Sequence, residues 1–108
     1  RESIVSLNSS GDLILVLIAV PNAAEAGTLS GMLLQQRLAA CVSHVSGVDS
    51  RYWWNGLLER ATEDLLLVKT RADLWPELLD TVRAHHSYDV PEVLALPIWK
   101  ANPSYETW

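Results

Sequence analysis

Cys41-Val-Ser-His-Val-Ser-Gly-Val-Asp-Ser-Arg-Tyr-Trp-Trp54, Asn55-Gly56 and Leu57-Leu-Glu-Arg-Ala-Thr-Glu-Asp-Leu-Leu-Leu-Val-Lys-Thr70 together decide the fold. Two long proline-free arms flank Asn-Gly, the pair that accepts positive φ at both turn positions, so the stretch reads as a β-hairpin. With a two-residue turn and no bulge, Trp54 opposes Leu57, Tyr52 opposes Glu59 and Cys41 opposes Thr70; a bulge at Gly47 shifts the later pairs by one. Fourteen residues per arm span roughly 46 Å. A compact chain of this size has a radius of gyration near 13 Å and is roughly 30–35 Å across. A regular hairpin therefore overshoots its own core. Its tip carries Tyr52, Trp53 and Trp54 with Leu57 and Leu58 opposite. Such a tip standing alone in water is unfavourable. The expectation is that Tyr52, Trp53 and Trp54 pack on another copy in a closed symmetric oligomer. The plainer alternative is a strongly bulged hairpin that folds back over its own sheet.

Outward from the hairpin, Leu13-Ile-Leu-Val-Leu-Ile-Ala-Val20 is a continuous apolar run, as expected of a strand buried on both faces. Pro21 ends it. Asn22 offers a helix N-cap with Glu25 at capping-box spacing, and Ala26, Leu29 and Leu33 follow on one helical face to about Arg37. Beyond the hairpin, Asp73 is positioned to cap a second helix with Pro76 in its first turn and Leu74, Leu78, Val82 and His85 as its stripe. Val93-Leu-Ala-Leu-Pro-Ile98 reads as a last strand, placed at an edge or bulge by Pro97. Asn102-Pro103 opens a short terminal element. The order β-α-β-β-α-β with right-handed crossovers gives an α+β, ferredoxin-like sandwich with a long central hairpin. Residues 1–12 read as a poorly ordered tail and 13–108 as one domain.

Length and composition agree with a single globular domain: 108 residues, 49% hydrophobic and 19% charged. The net charge of −5 and sequence pI near 5.0 leave no strongly basic face, so nucleic acid is a poor partner. One cysteine, Cys41, excludes an internal disulfide and a cysteine-rich zinc site within one chain. The longest apolar run, eight residues, is too short to span a bilayer, and no signal-peptide pattern is visible. A reducing, cytoplasmic setting with no membrane partner is the expectation.

Motifs for dinucleotide binding, P-loop chemistry or a hydrolase nucleophile elbow are absent. Cys41, His44, His85 and His86 are the soft or borderline metal ligands, none at diagnostic spacing. Each has a plainer reading. Cys41 suits a buried apolar strand. His86 suits a helix C-terminus as a cation, His85 suits the core stripe, and His44 suits a cross-strand surface pair. Glu59 and Glu63 share a strand face and either offer carboxylates or solvate an edge. Lys69, in Leu65-Leu-Leu-Val-Lys69-Thr70, needs a partner if buried, otherwise it snorkels. An enzyme using His86 or Lys69 as a base lacks a nucleophile–base–orienter set.

Six segments carry a resemblance: Val20-Pro21-Asn22, Arg37-Leu-Ala-Ala-Cys41-Val42, Tyr52-Trp53-Trp54-Asn55-Gly56, Glu63-Asp-Leu-Leu-Leu-Val-Lys69-Thr70, His86-Ser-Tyr88-Asp-Val-Pro91-Glu and Ala95-Leu-Pro97-Ile. In this order and spacing the chain resembles the CutA divalent-cation tolerance proteins from Leu13 to Trp108. The resemblance implies a homotrimer whose hairpins wrap neighbouring subunits, tolerance to copper and other divalent cations, copper binding, no organic cofactor and a non-enzymatic role. Its family-like polar cluster falls on Cys41, Glu63, Lys69, His86 and Tyr88. Cys41 and His86 are then the expected metal ligands, with Glu63 or Tyr88 completing the shell in an intersubunit cleft. The family trimer is similar to that of the PII signalling proteins. By that analogy, the alternative is a signalling module whose clefts take a small anionic effector through Lys69 and Tyr88. Two departures stand at Ser87, where the family has Pro, and at Asn55, where many members have Glu.

Overall fold

In the computed structural model, which describes residues 12–107, the chain runs β1 (Leu13–Val20), α1 (Ala23–Gln35), β2 (Cys41–Trp54), β3 (Leu57–Arg71), a 3-10 turn (Ala72–Leu74), α2 (Trp75–His85), β4 (Val93–Pro97) and α3 (Pro103–Thr107). The four strands form one sheet in the order β2-β3-β1-β4, each neighbour antiparallel. This is the expected α+β sandwich. Of the expected 1–12 tail, residues 1–11 lie outside the described residues. No helix among the described residues is long and apolar enough to cross a membrane.

One face of the sheet packs on both helices. Ile14, Val16, Ile18 and Val20 of β1 and Leu66 and Val68 of β3 are buried with Ala26, Leu29 and Leu33 of α1 and Leu78 and Val82 of α2. Alternation along each strand sends every second side chain to this face. The expectation that β1 is buried on both faces is corrected within one chain. Leu13, Leu15 and Leu17 point to the opposite face and are only half-buried, because no element among the described residues covers them.

Asn22 caps α1 as expected, its Oδ1 accepting from Glu25 N–H at 2.9 Å. The reciprocal half of a capping box is not made, since the Glu25 carboxylate accepts from Ser87 N–H at 3.1 Å instead. The helix ends at Gln35, and Arg37, at φ +58°, turns the chain so that Leu38 is buried again. Asp73 does not cap α2. It sits in the 3-10 turn and pairs with Arg71 Nε at 3.3 Å, while Leu74 occupies the cap position without a side-chain bond. Pro76 lies in the first turn of α2, where no backbone donor is needed. His85 is exposed rather than core and hydrogen-bonds the carbonyl of Thr81 on its own helix at 2.9 Å. Pro97 closes the edge strand β4, which ends one residue short of Ile98.

Asn55 (φ +50°) and Gly56 (φ +78°) form the hairpin turn, and Trp54–Leu57, Tyr52–Glu59 and Val48–Glu63 are opposed in the expected register. A bulge then intervenes between Val45 and Val48, with Gly47 at φ +73°. Cys41 consequently opposes Lys69, not Thr70. The bulge does not fold the hairpin back over the sheet. The strands stay paired to the tip and the molecule measures 43 × 30 × 23 Å, with Trp53 73% exposed and Leu57 65% exposed.

Candidate functional site

The helix-free face of the sheet carries two separate constellations. The first lies at the base of the hairpin. Because the bulge sets Cys41 opposite Lys69, both side chains stand on this face, beside the leucines that the helices leave uncovered. Lys69 Nζ donates to Ser43 Oγ at 2.6 Å and lies 3.9 Å from Cys41 Sγ. Lys69 thus has the partner its position demands, but a hydroxyl and a thiol instead of a carboxylate. Ser43 was not among the expected site residues. Its i+2 spacing from Cys41 on a strand is the signal that places it on the same face.

The second constellation is a groove of about 750 Å³ between the outer hairpin and the loop that joins α2 to β4. Tyr52, Trp54, Glu59 and Glu63 stand on the hairpin side, with Tyr88, Asp89 and Glu92 on the loop side. At its floor Tyr88 Oη donates to Glu63 Oε2 at 2.9 Å. Removal from water pushes the Tyr88 phenol up to about 12, and the neighbouring Glu63 carboxylate adds to the shift through its hydrogen bond and its charge. Both effects penalise the phenolate.

His86 holds the loop in place. Its side chain is 0% exposed, its Nε2–H donates to the carbonyl of Ala19 at 2.7 Å, and its Nδ1 accepts from Tyr88 N–H at 3.1 Å. That pattern is the neutral Nε2–H tautomer, with both ring nitrogens committed. Glu25 Oε2 lies 3.5 Å from Nδ1, but a nitrogen that accepts a hydrogen bond forms no ion pair there. The His86 and Tyr88 rings pack with centroids 4.9 Å apart. Glu25 of α1, whose bond from Ser87 N–H anchors this loop and has no counterpart in sequence spacing, is the contributor that sequence reasoning missed.

The structure therefore brings Glu63, His86 and Tyr88 together and places Cys41 with Lys69 and Ser43. It does not join Cys41, His86 and Glu63 within one chain. Among the described residues no three or more of His, Cys, Asp and Glu converge to hold a metal ion. Nor does Tyr88 share a site with Lys69 that favours an anion, since Tyr88 faces carboxylates. His44 takes the cross-strand role: its Nε2 lies 2.7 Å from Asp64 Oδ2, and Asp64 Oδ1 also accepts from Gly47 N–H at 3.5 Å, which ties down the bulge.

With this geometry in hand, comparison with known proteins is informative. The family described as CutA1 divalent ion tolerance protein matches residues 14–108. The protein named Divalent-cation tolerance protein CutA from Thermus thermophilus is 46% identical over 93 residues, covering 86% of this chain and 90% of its own. The Thermus structure superposes with a TM-score of 0.87 at 45% identity, covering 89% of this chain and 93% of that one. The rice protein named Protein CutA 1, chloroplastic, is 45% identical over 95 residues, 88% of this chain and 54% of the relative. The crystal structure of rice CutA1 has a TM-score of 0.88 at 44% identity, with 90% and 89% coverage. The structure of the periplasmic divalent cation tolerance protein CutA from Archaeoglobus fulgidus gives a TM-score of 0.86 at 36% identity, with 89% and 93% coverage. This chain spans about half the length of the rice and Arabidopsis thaliana relatives. By the family match and by the Thermus relative, which it covers almost end to end, the chain belongs to the CutA divalent-cation tolerance family.

Proposed function

We propose that this chain is one subunit of a non-enzymatic homotrimer that binds copper or another divalent cation, and that Cys41 is its principal metal ligand. One observation carries the reading: the thiol stands on a sheet face that its own chain leaves uncovered. Thiolate is the soft donor that suits copper. Since no closed set of ligands forms among the described residues, the remaining donors come from other subunits packed over that face. Glu63 keeps one carboxylate oxygen outside its bond to Tyr88 and is the second donor of the reading. His86 contributes by holding the loop, because both of its nitrogens are engaged. The apolar half of the same face and the exposed Trp53 supply the surface for trimer formation. A free thiol fits a reducing compartment, and the cytoplasm is the proposed location.

The test is a copper titration of the assembled protein, read by native mass spectrometry, with light scattering for mass. Wild type is expected at three times 12.0 kDa with saturable, stoichiometric metal. Cys41→Ser is expected to weaken binding at least tenfold without changing the mass. Unchanged copper affinity in Cys41→Ser removes Cys41 as the ligand, and a folded wild-type monomer removes the shared site.

A further inference from the structure

The loop that joins α2 to β4 has no regular structure of its own, so its shape depends on what holds it. Both ends hang on Ala19 of β1. His86 Nε2–H donates to the Ala19 carbonyl at 2.7 Å, and Ala19 N–H donates to the carbonyl of Glu92 at 3.4 Å. The middle is held by two carboxylates from other elements. Glu63 of β3 accepts from Tyr88 Oη, and Glu25 of α1 accepts from Ser87 N–H at 3.1 Å. Ser87 and Tyr88 carry successive backbone donors; Glu25 takes the first and His86 Nδ1 the second. Together these bonds turn the chain so that the Tyr88 ring packs on His86 and its hydroxyl reaches Glu63.

The Glu25 bond is the one that the local backbone does not supply. α2 ends at His85, and His86, at φ −84° and ψ 138°, is already extended, so no helical bond fixes the peptide that follows it. A glutamate three residues after an N-cap ordinarily reaches back to the amide of that cap. Glu25 stands at that position and reaches out to the loop instead. Its side chain is only 17% exposed, so water competes little for a hydrogen bond that the carboxylate charge strengthens. A residue that orients a metal-binding carboxylate through hydrogen bonds tunes ion binding without touching the ion. We propose that Glu25 is a positioning residue for the metal site: by holding Ser87 N–H it keeps Tyr88 bonded to Glu63 and so fixes which Glu63 oxygen stays open to a cation. The proposal rests on the reading of Glu63 as the second donor.

The experiment separates reach from charge, because the Glu25 charge also acts on Tyr88 directly. Glu25→Gln keeps an acceptor at the same reach and loses the charge; Glu25→Asp keeps the charge and falls one methylene short. Full-length variants are titrated with copper, Tyr88 ionisation is followed by absorbance with Tyr88→Phe as reference, and light scattering checks the mass. Glu25→Asp is expected to lower the Tyr88 value from about 12 part of the way towards 10.0 and to weaken copper binding at least threefold. Glu25→Gln is expected to keep the Tyr88 value nearer 12 and copper affinity within twofold of wild type. In wild type, hydrogen exchange at the Ser87 amide is expected to be at least tenfold slower than in an unstructured peptide, a measurement that needs no variant to fold. Equal effects of the two substitutions, no effect of Glu25→Asp, or an unprotected Ser87 amide each overturns the proposal. Unchanged copper affinity in Glu63→Gln instead removes Glu63 as the donor, while the Tyr88 and amide readouts still decide whether Glu25 holds the loop.

Discussion

Tyr88 shows how one residue reports on its surroundings. Desolvation is the largest cause of its raised pKa, and the hydrogen bond and charge of Glu63 follow. The sign has a consequence for stability. The folded value of about 12 lies above the ordinary value of 10.0, so this stabilisation is complete below about pH 10 and is lost as pH climbs through 12. Substituting Glu63→Gln removes the charge but not the burial. The Tyr88 pKa is then expected to fall from about 12 part of the way towards 10, read by absorbance titration with Tyr88→Phe identifying the component. An unchanged value in Glu63→Gln would mean that burial alone is responsible. The residue scale was the least legible in sequence. The segment His86-Ser-Tyr88 pointed to a functional loop, but nothing in its spacing told that His86 spends both nitrogens on backbone groups of Ala19 and Tyr88. Those partners are 67 residues and 2 residues away, and only the fold sets the first.

Among elements, the bulge in β2 matters most. Had the register of the tip continued, Cys41 would oppose Thr70, whose buried hydroxyl donates to the carbonyl of Leu38 at 2.7 Å on the helix side. The one extra residue moves Cys41 to the opposite face, beside Lys69, because a one-residue slip inverts every side chain beyond it. The strands, their turn and the helices were legible because periodicity and Asn-Gly are local signals. The bulge was legible only as an option at Gly47, since its anchor, Asp64, reaches across from the neighbouring strand. Gly47 sits at φ +73°, and a Cβ added there meets nothing within 4 Å. The cost of Gly47→Ala is therefore backbone strain alone, about 1–2 kcal/mol, and Gly47→Asn is expected to cost less because Asn tolerates the left-handed region. Denaturant midpoints at unchanged slope measure both. Equal stability of Gly47→Ala and wild type would show that the bulge relaxes to another conformation.

At the scale of the molecule, the apolar surface exceeds what one chain can hide. The leucine-rich run of β1 and the tip of the hairpin were both read from sequence as surfaces needing cover. Neither finds it within the chain: Leu13, Leu15 and Leu17 stay half-buried and Trp53 stays 73% exposed. The three tip aromatics bury about 150–250 Å² each when covered. Tyr52, Trp53 and Trp54 are 42%, 73% and 54% exposed, so they supply only part of the roughly 800 Å² per partner of a stable interface, and the sheet face has to supply the rest. The proposed trimer predicts a specific failure. Trp53 and Leu58 are directly opposed across the hairpin. Replacing them together by Trp53→Glu and Leu58→Lys removes one apolar face of the tip and leaves a cross-strand pair of opposite charge, so the hairpin itself keeps its pairing. Sedimentation is expected to show association weakened at least tenfold, with a species of 12.0 kDa appearing on dilution while the circular dichroism of the sheet is retained. Full trimer at the same dilution would show that the Trp53–Leu58 face of the tip contributes nothing to association and leave the exposure of Trp53 without a structural reason.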